Sequence, residues 1–220
     1  FRLLIGFFLW MGAWLQQVAL IYTKVANVAF LTALYVLIVP LAVFFIFGKK
    51  LSLSLIFAVI FCVLGTWFLL GQNTQLGYWG DLLAIIGAVF WAFHIILISR
   101  AGVLRLEPTM TAAIHIIFAG ILGLIAAFLF ENPSIENIGG GLIELIYTGI
   151  ISIGIGFTVQ TIAQAKVPPT KASIILSMET VFASIAAYIV LGQVLGYYSI
   201  FGCLLIIVGV LIAEISNSLQ

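Results

Sequence analysis

Polar residues interrupt the apolar texture of this chain at Thr23-Lys24, Lys49-Lys50, Gln72 to Tyr78, Arg100 to Pro108, Glu131 to Ile138, Lys166 to Pro169 and Gly192-Gln193. The runs between these breaks cover 2–22, 26–47, 51–71, 79–99, 109–130, 139–164, 171–191 and 195–215. Each is close to the ~20 residues that a helix needs to cross a ~30 Å hydrocarbon core. A membrane β-strand would instead alternate polar and apolar positions over ~10 residues. Lipid offers no partner for a free backbone group, so only helices and closed barrels cross it. The pattern therefore predicts an all-α polytopic membrane protein with eight transmembrane helices.

Composition agrees with lipid as the solvent. Of the 220 residues, 65% are hydrophobic and 7% charged, against roughly 25% charged in a soluble domain. The net charge of +1 points to no nucleic-acid partner. Charge matters more by position. With residue 1 on the cytoplasmic side, that face carries Arg2, Lys49, Lys50, Arg100, Arg105, Lys166 and Lys171, and the opposite face carries only Lys24. Asp81, Glu131, Glu136 and Glu144 fall on the outer side. This segregation is what the positive-inside rule requires of eight spans with both ends cytoplasmic in a cell (inner or plasma) membrane.

The chain also repeats itself. A shift of 144 residues carries Gly12 onto Gly156, Gln16 onto Gln160, Ala19 onto Ala163, Ala42 onto Ala186, Gly48 onto Gly192 and Leu51 onto Leu195. It continues with Ile56-Phe57 on Ile200-Phe201 and Gly65 on Gly209. Spans one to three thus match spans six to eight. Five spans separate each from its copy, so the copies run in opposite directions, as in inverted-repeat transporters. The expected organisation is 1–72 as the last three helices of a first repeat, 73–80 as an outer linker, and 81–216 as a complete second repeat of five. Because residue 1 is Phe and no signal peptide precedes it, the N-terminus reads as a cut edge, and the parent as a five-plus-five protein lacking its first two helices here.

The sequence resembles the drug/metabolite transporter superfamily in its ten-helix EamA-type branch, across essentially the whole chain. The resemblance is carried by Gly80-Asp81-Leu82-Leu83-Ala84 followed by Trp91-Ala92, by Ala19-Leu20-Ile21-Tyr22-Thr23, and by Ser177-Met178-Glu179-Thr180-Val181-Phe182-Ala183. Thr180 stands where the family has proline, and Lys49 and Gln193 stand where it has glutamate after Gly48 and Gly192. Pro40 offers a kink in the equivalent helix of the first repeat. The resemblance implies carriage of small metabolites such as amino acids, often outward.

Several polar residues lie within the predicted spans. Glu179 is ~12 Å inside its helix at ~1.5 Å per residue. A charge there costs roughly 2.5–3.5 kcal/mol on insertion scales, so it must face a cavity, a partner or a proton. It reads either as a substrate-amine or proton site, or as a structural hydrogen-bonding group. His94 and His115 lie at similar depth on consecutive antiparallel spans and could meet, as a proton relay or as interhelical glue. Gln16 and Gln160 sit at mirrored depths, suiting either alternating gates or helix packing. Trp14 and Trp91 are candidate aromatic walls, and Tyr35 is the repeat equivalent of Glu179. The expected cavity is lined by Glu179, Tyr35, Trp91, His94, Gln160 and Trp14, with Gln16 and His115 as further substrate-binding candidates. Ala58, Gly65, Gly202 and Gly209 form a small-residue seam, within the protomer or as a homodimer contact through Gly202 and Gly209.

Nothing in the spacing supports catalysis. No nucleophile-plus-base set or zinc-ligand spacing occurs, and Cys62 and Cys203 read as packing residues. No cofactor or metal is expected. The reading is a secondary carrier working by alternating access, either coupled to protons, with Glu179 as the residue on which coupling would rest, or running down the substrate gradient. The rival is a non-transporting membrane sensor or assembly protein.

Overall fold

A computed structural model describes residues 1–48, 51–70, 78–131, 139–191 and 196–215. Lys49, Lys50, residues 72–77, Glu136, Gly192, Gln193 and Leu195, which entered the argument above, lie outside the described residues. No strand occurs among the described residues. In chain order the helices are α1 (Arg2–Tyr22), α2 (Val25–Ala33), α3 (Tyr35–Phe47), α4 (Leu53–Leu70), α5 (Tyr78–Val103) and α6 (Pro108–Phe130). There follow α7 (Leu142–Ile146), a π-helical segment Tyr147–Phe157, α8 (Thr158–Gln164), α9 (Pro169–Leu176), α10 (Met178–Leu191) and α11 (Tyr197–Ile215). The stretches Arg2–Tyr22, Asn27–Phe47, Tyr78–Val103, Pro108–Phe130 and Leu142–Gln164 are long and apolar enough to cross a bilayer, and Leu53–Leu69 and Tyr197–Ala213 are shorter apolar helices.

The sequence offers a kink at Pro40 in the second span, whereas three spans are interrupted, none of them at that proline. The second breaks at Leu34 and the seventh at Ser177, which is one residue from the copy of Leu34 under the 144-residue shift. Proline causes neither break. Helix α3 runs through Pro40, and the seventh span has no proline between Thr170 and Leu191. At Ser177 hydroxyls add to a tightened backbone ladder: the Ser177 hydroxyl donates to the Ile174 carbonyl (2.6 Å), the Thr180 hydroxyl donates to the Ser177 carbonyl (2.8 Å), and the backbone N–H groups of both residues also reach carbonyls three residues back (3.2 Å). Such back-bonding bends helices. In the sixth span, Gly149, Gly154 and Gly156 alternate with isoleucines of low helix propensity, and the backbone takes the wider π turn.

Other ends follow ordinary rules. Glu107 caps α6 by accepting from the backbone N–H groups of Thr109 (2.9 Å) and Met110, with Pro108 in the first turn. The hydrogen bonds hold the Glu107 carboxyl below the usual carboxylate range. Gly48 ends α3 in the left-handed conformation at φ 63°.

The most extensive packing joins α4 to α11 and α1 to α5. A methyl placed on Gly65 would lie 2.7 Å from the Gly202 carbonyl oxygen, and one on Gly209 would lie 2.8 Å from that of Ala58. Under the 144-residue shift each of these contacts becomes the other, so α4 and α11 cross on a local two-fold axis. The seam is therefore filled within the chain. Gly202 and Gly209 are covered by α4, which corrects the expectation of a homodimer through them. Cys62 packs in this same core with Val36, Ala58, Val59 and Ile174. The outer faces are apolar and exposed, as Phe128, Phe130 and Ile143 illustrate, as lipid-facing surfaces are.

Candidate functional site

Helices α1 and α5 build one wall of the site around a single indole. A Cβ on Gly12 would sit 3.2 Å from the Trp91 ring, so the indole lies directly on the α1 backbone. One turn further along α1, Gln16 Oε1 accepts the Trp91 Nε1–H at 3.2 Å. Phe157, at the end of the π-helical segment, stacks on Trp91 with centroids 5.9 Å apart and planes 15° from parallel. Trp91 is thus fixed by Gly12, Gln16 and Phe157.

Beside it lies a cavity of about 120 Å³ lined by Gln16, Thr32, Tyr35, Trp91, Ile95, Phe157, Gln160, Leu176 and Glu179. Both interrupted spans contribute next to their breaks: Thr32 and Tyr35 flank Leu34, and Leu176 and Glu179 flank Ser177. The cavity continues into a larger opening of about 480 Å³ between the sixth and seventh spans, which shares Phe157, Gln160, Leu176 and Glu179. Glu179 therefore faces open space from the first turn of α10. Gln160 donates to Gln164 Oε1 at 3.2 Å, and Gln164 Nε2 donates to the Ile95 carbonyl at 2.6 Å and to Ser99 Oγ at 3.2 Å. A polar chain thus leads from the cavity into the α5–α8 contact.

Of the residues singled out from the sequence, Gln16, Tyr35, Trp91, Gln160 and Glu179 converge here. Trp14 does not. It stacks on Trp10 (5.7 Å) and meets Phe130 of α6 (5.9 Å). Two residues separate it from Gln16, ~200° around a helix, so the two side chains point to opposite faces. His94 and His115 also stand outside the cavity lining. Their rings meet at 5.5 Å, and His94 lies edge-on to Trp91 at 5.7 Å and to Phe157 at 5.9 Å, one layer behind the wall. Both are fully buried. His115 Nδ1 lies 2.7 Å from the Thr111 carbonyl, while His115 Nε2 and both nitrogens of His94 have no partner among the described residues.

Thr32, Ile95, Phe157 and Leu176 escaped the sequence argument. Each is one helical turn from a residue that did not: Thr32 from Tyr35, Ile95 from Trp91, Phe157 from Gln160 and Leu176 from Glu179. Such neighbours share a helix face, and that rule could have found them.

Broken apolar spans around a polar, aromatic-walled cavity define a polytopic integral membrane protein of the transporter type. Residues 78–214 match the model of the EamA-like transporter family, and the chain belongs to that family. It is 28% identical over 212 residues to an uncharacterized transporter of Archaeoglobus fulgidus, covering 96% of this chain and 67% of that protein. It is 29% identical over 165 residues to the threonine/homoserine exporter RhtA of Escherichia coli K12, covering 71% of this chain and 52% of the exporter. The chain thus spans about two thirds of the archaeal relative and half of the exporter. A solved crystal structure shares the fold with a TM-score of 0.82 at 20% identity, over 100% of this chain and 77% of that one.

Proposed function

We propose that this chain forms the greater part of a secondary carrier that exports small metabolites, amino acids among them, by alternating access. The observation that carries the reading is the cavity lining. It contains two pairs related by the 144-residue shift, Gln16 with Gln160 and Tyr35 with Glu179. A site shared by both halves of an inverted repeat is equally reachable when either half opens. On this reading residues 1–72 and 81–216 are the two repeats joined by 73–80, and both chain ends are cytoplasmic.

The chemistry of the lining suits a zwitterion. Glu179 offers a counter-charge to an amine, Gln16 and Gln160 offer amides to a carboxylate, and Trp91 with Phe157 forms a flat apolar wall. The enclosed part beside Trp91 measures about 120 Å³, below the ~300–1,000 Å³ of drug-sized sites, so a small solute fits there and a larger one would extend into the adjoining opening of about 480 Å³. The exporter relative supports the same substrate class. Glu179 is also the proposed proton carrier, because a carboxylate at this depth is tolerated only with a cavity, partner or proton to stabilise it.

The test is counterflow of labelled threonine, homoserine and other amino acids into liposomes, with and without a pH gradient. Exchange is expected, with loss in Glu179→Ala and in the Gln16→Ala, Gln160→Ala double variant. Glu179→Gln should retain binding and lose the response to pH. An unchanged pH profile in that variant rejects proton coupling at this residue, and absence of binding for every solute tried favours the sensor or assembly reading.

A further inference from the structure

Packing between the helices is lopsided. Spans one, two and four hold together through α1, α2, α3 and α5, and among the described residues no comparable packing joins α2 to α10. The sixth and seventh spans meet that group chiefly near the end carrying Arg100 and Lys166. There α9 packs on α3 and α5, and Gln164 bonds to Ile95 and Ser99. A Cβ on Gly102 would fall 1.7 Å from the Ala165 carbonyl oxygen, so the two backbones touch. This end of the cavity is closed.

Straddling the closure is a second pocket of about 280 Å³, lined by Arg100 and Ser99 of α5, Lys166 and Pro168 of the α8–α9 connection, and the apolar Val43, Phe47, Ile96 and Val103. We propose that this pocket binds the phosphate headgroup of an anionic phospholipid, and that occupancy holds the end closed. No carboxylate is among its described lining residues. Its two cations come from opposite sides of the closure, so closing brings like charges onto one pocket wall. An anion between them reverses that penalty and meets two cations in the closed form but one in the open form. Differential affinity of this kind is what lets a ligand shift a conformational equilibrium.

The walls identify the ligand as a lipid. Arg100 lies 5.7 Å over the Phe47 ring, keeping its charge beside exposed apolar surface that Val103 extends. That combination of apolar wall and basic rim at the end of transmembrane helices suits a headgroup with its chains attached. Helix α9 also starts here without a side-chain cap, adding the positive end of its dipole. The closing effect rests on the carrier reading above, whereas the binding does not.

The two are separated by experiment. Unfolding midpoints are measured in nanodiscs of phosphatidylcholine alone and with phosphatidylglycerol, and each variant is compared only with itself. Phosphatidylglycerol should raise the midpoint of the unaltered protein. Arg100→Gln and Lys166→Gln should each weaken the lipid's apparent affinity about fivefold, the loss expected for one basic group at a membrane surface. Arg105→Gln, at the same end but outside the pocket lining, should respond like the unaltered protein. Equal responses in all three variants mean diffuse surface attraction and overturn the site. An equal gain from inorganic phosphate in phosphatidylcholine overturns the lipid assignment. For closure, spin labels are placed at Leu104→Cys and Lys171→Cys, on the two sides of the closure and outside the pocket lining, and phosphatidylglycerol should shift their distance distribution toward the shorter population. An unchanged distribution with intact binding overturns the closing role alone.

Discussion

Alanine at position 65 would put a methyl group 2.7 Å from the Gly202 carbonyl oxygen, 2.7 Å from Ile206 Cγ1 and 2.9 Å from the Ile206 nitrogen. Two of these three neighbours are backbone, so no rotamer change relieves the clash and α11 itself must move. Overpacking of this kind costs about 1–3 kcal/mol. Alanine also recovers roughly 0.5–1 kcal/mol of glycine's conformational entropy in a helix. Because backbone yields less than a side-chain tip, the upper half of the overpacking range applies, and the net loss is about 1–2.5 kcal/mol. Gly120→Ala in α6 is the internal control. Nothing lies within 4 Å of its Cβ position, so only the favourable contribution of roughly 0.5–1 kcal/mol remains. Unfolding in mixed micelles with rising dodecyl sulfate, followed by tryptophan fluorescence, gives both numbers. The Gly65→Ala, Gly202→Ala double variant should lose less than the sum of the singles, since either methyl already separates the helices. A Gly65→Ala protein as stable as the unaltered one would refute the close approach.

His94→Leu should keep or raise stability, because it removes two buried nitrogens that lack partners. Lost transport in that stable variant would assign the histidine pair a proton-handling role, and retained transport would leave it as packing. Trp91→Phe keeps a ring against Phe157 but deletes the 3.2 Å bond to Gln16, a loss worth about 0.5–1.5 kcal/mol. A rise of roughly two- to tenfold in KM for a transported amino acid is expected, with little change in expression. Glu107, held below the usual carboxylate range by its capping bonds, stabilises α6 fully above that range, and the contribution disappears as pH falls through the lowered value. Comparing acid unfolding of Glu107→Gln with the unaltered protein checks this, and the variant should be less sensitive over that interval.

The spans were legible because lipid imposes one strong rule, and each run satisfies it independently of the others. The cavity was partly legible for a second reason: a 144-residue shift relates Gln16 to Gln160 and Tyr35 to Glu179 without any coordinates. What failed was rotation about the helix axis. Trp14 and Gln16 share a depth but not a face, and depth was the only coordinate that the spacing of polar breaks supplied. The break at Ser177 was hidden differently. Proline is the familiar cause of a bent helix, and here hydroxyl groups that look merely tolerated in an apolar run bond back to carbonyls three residues earlier instead. The π-helical turns of Tyr147–Phe157 depend on glycine and isoleucine crowding, which leaves hydrophobic periodicity unchanged.

The crossing of α4 and α11 has a mechanical corollary. Because the Gly65–Gly202 and Ala58–Gly209 contacts exchange under the repeat operation, a transition that swaps the shapes of the two halves maps this crossing onto itself. On the alternating-access proposal, this close backbone contact is then a pivot that belongs equally to both end states, and it need not loosen for the surrounding helices to trade places. Substitutions there would shift how firmly the protein holds together without biasing which way it faces. Sequence differences that set a preferred direction must therefore reside away from the axis, where the halves are no longer alike.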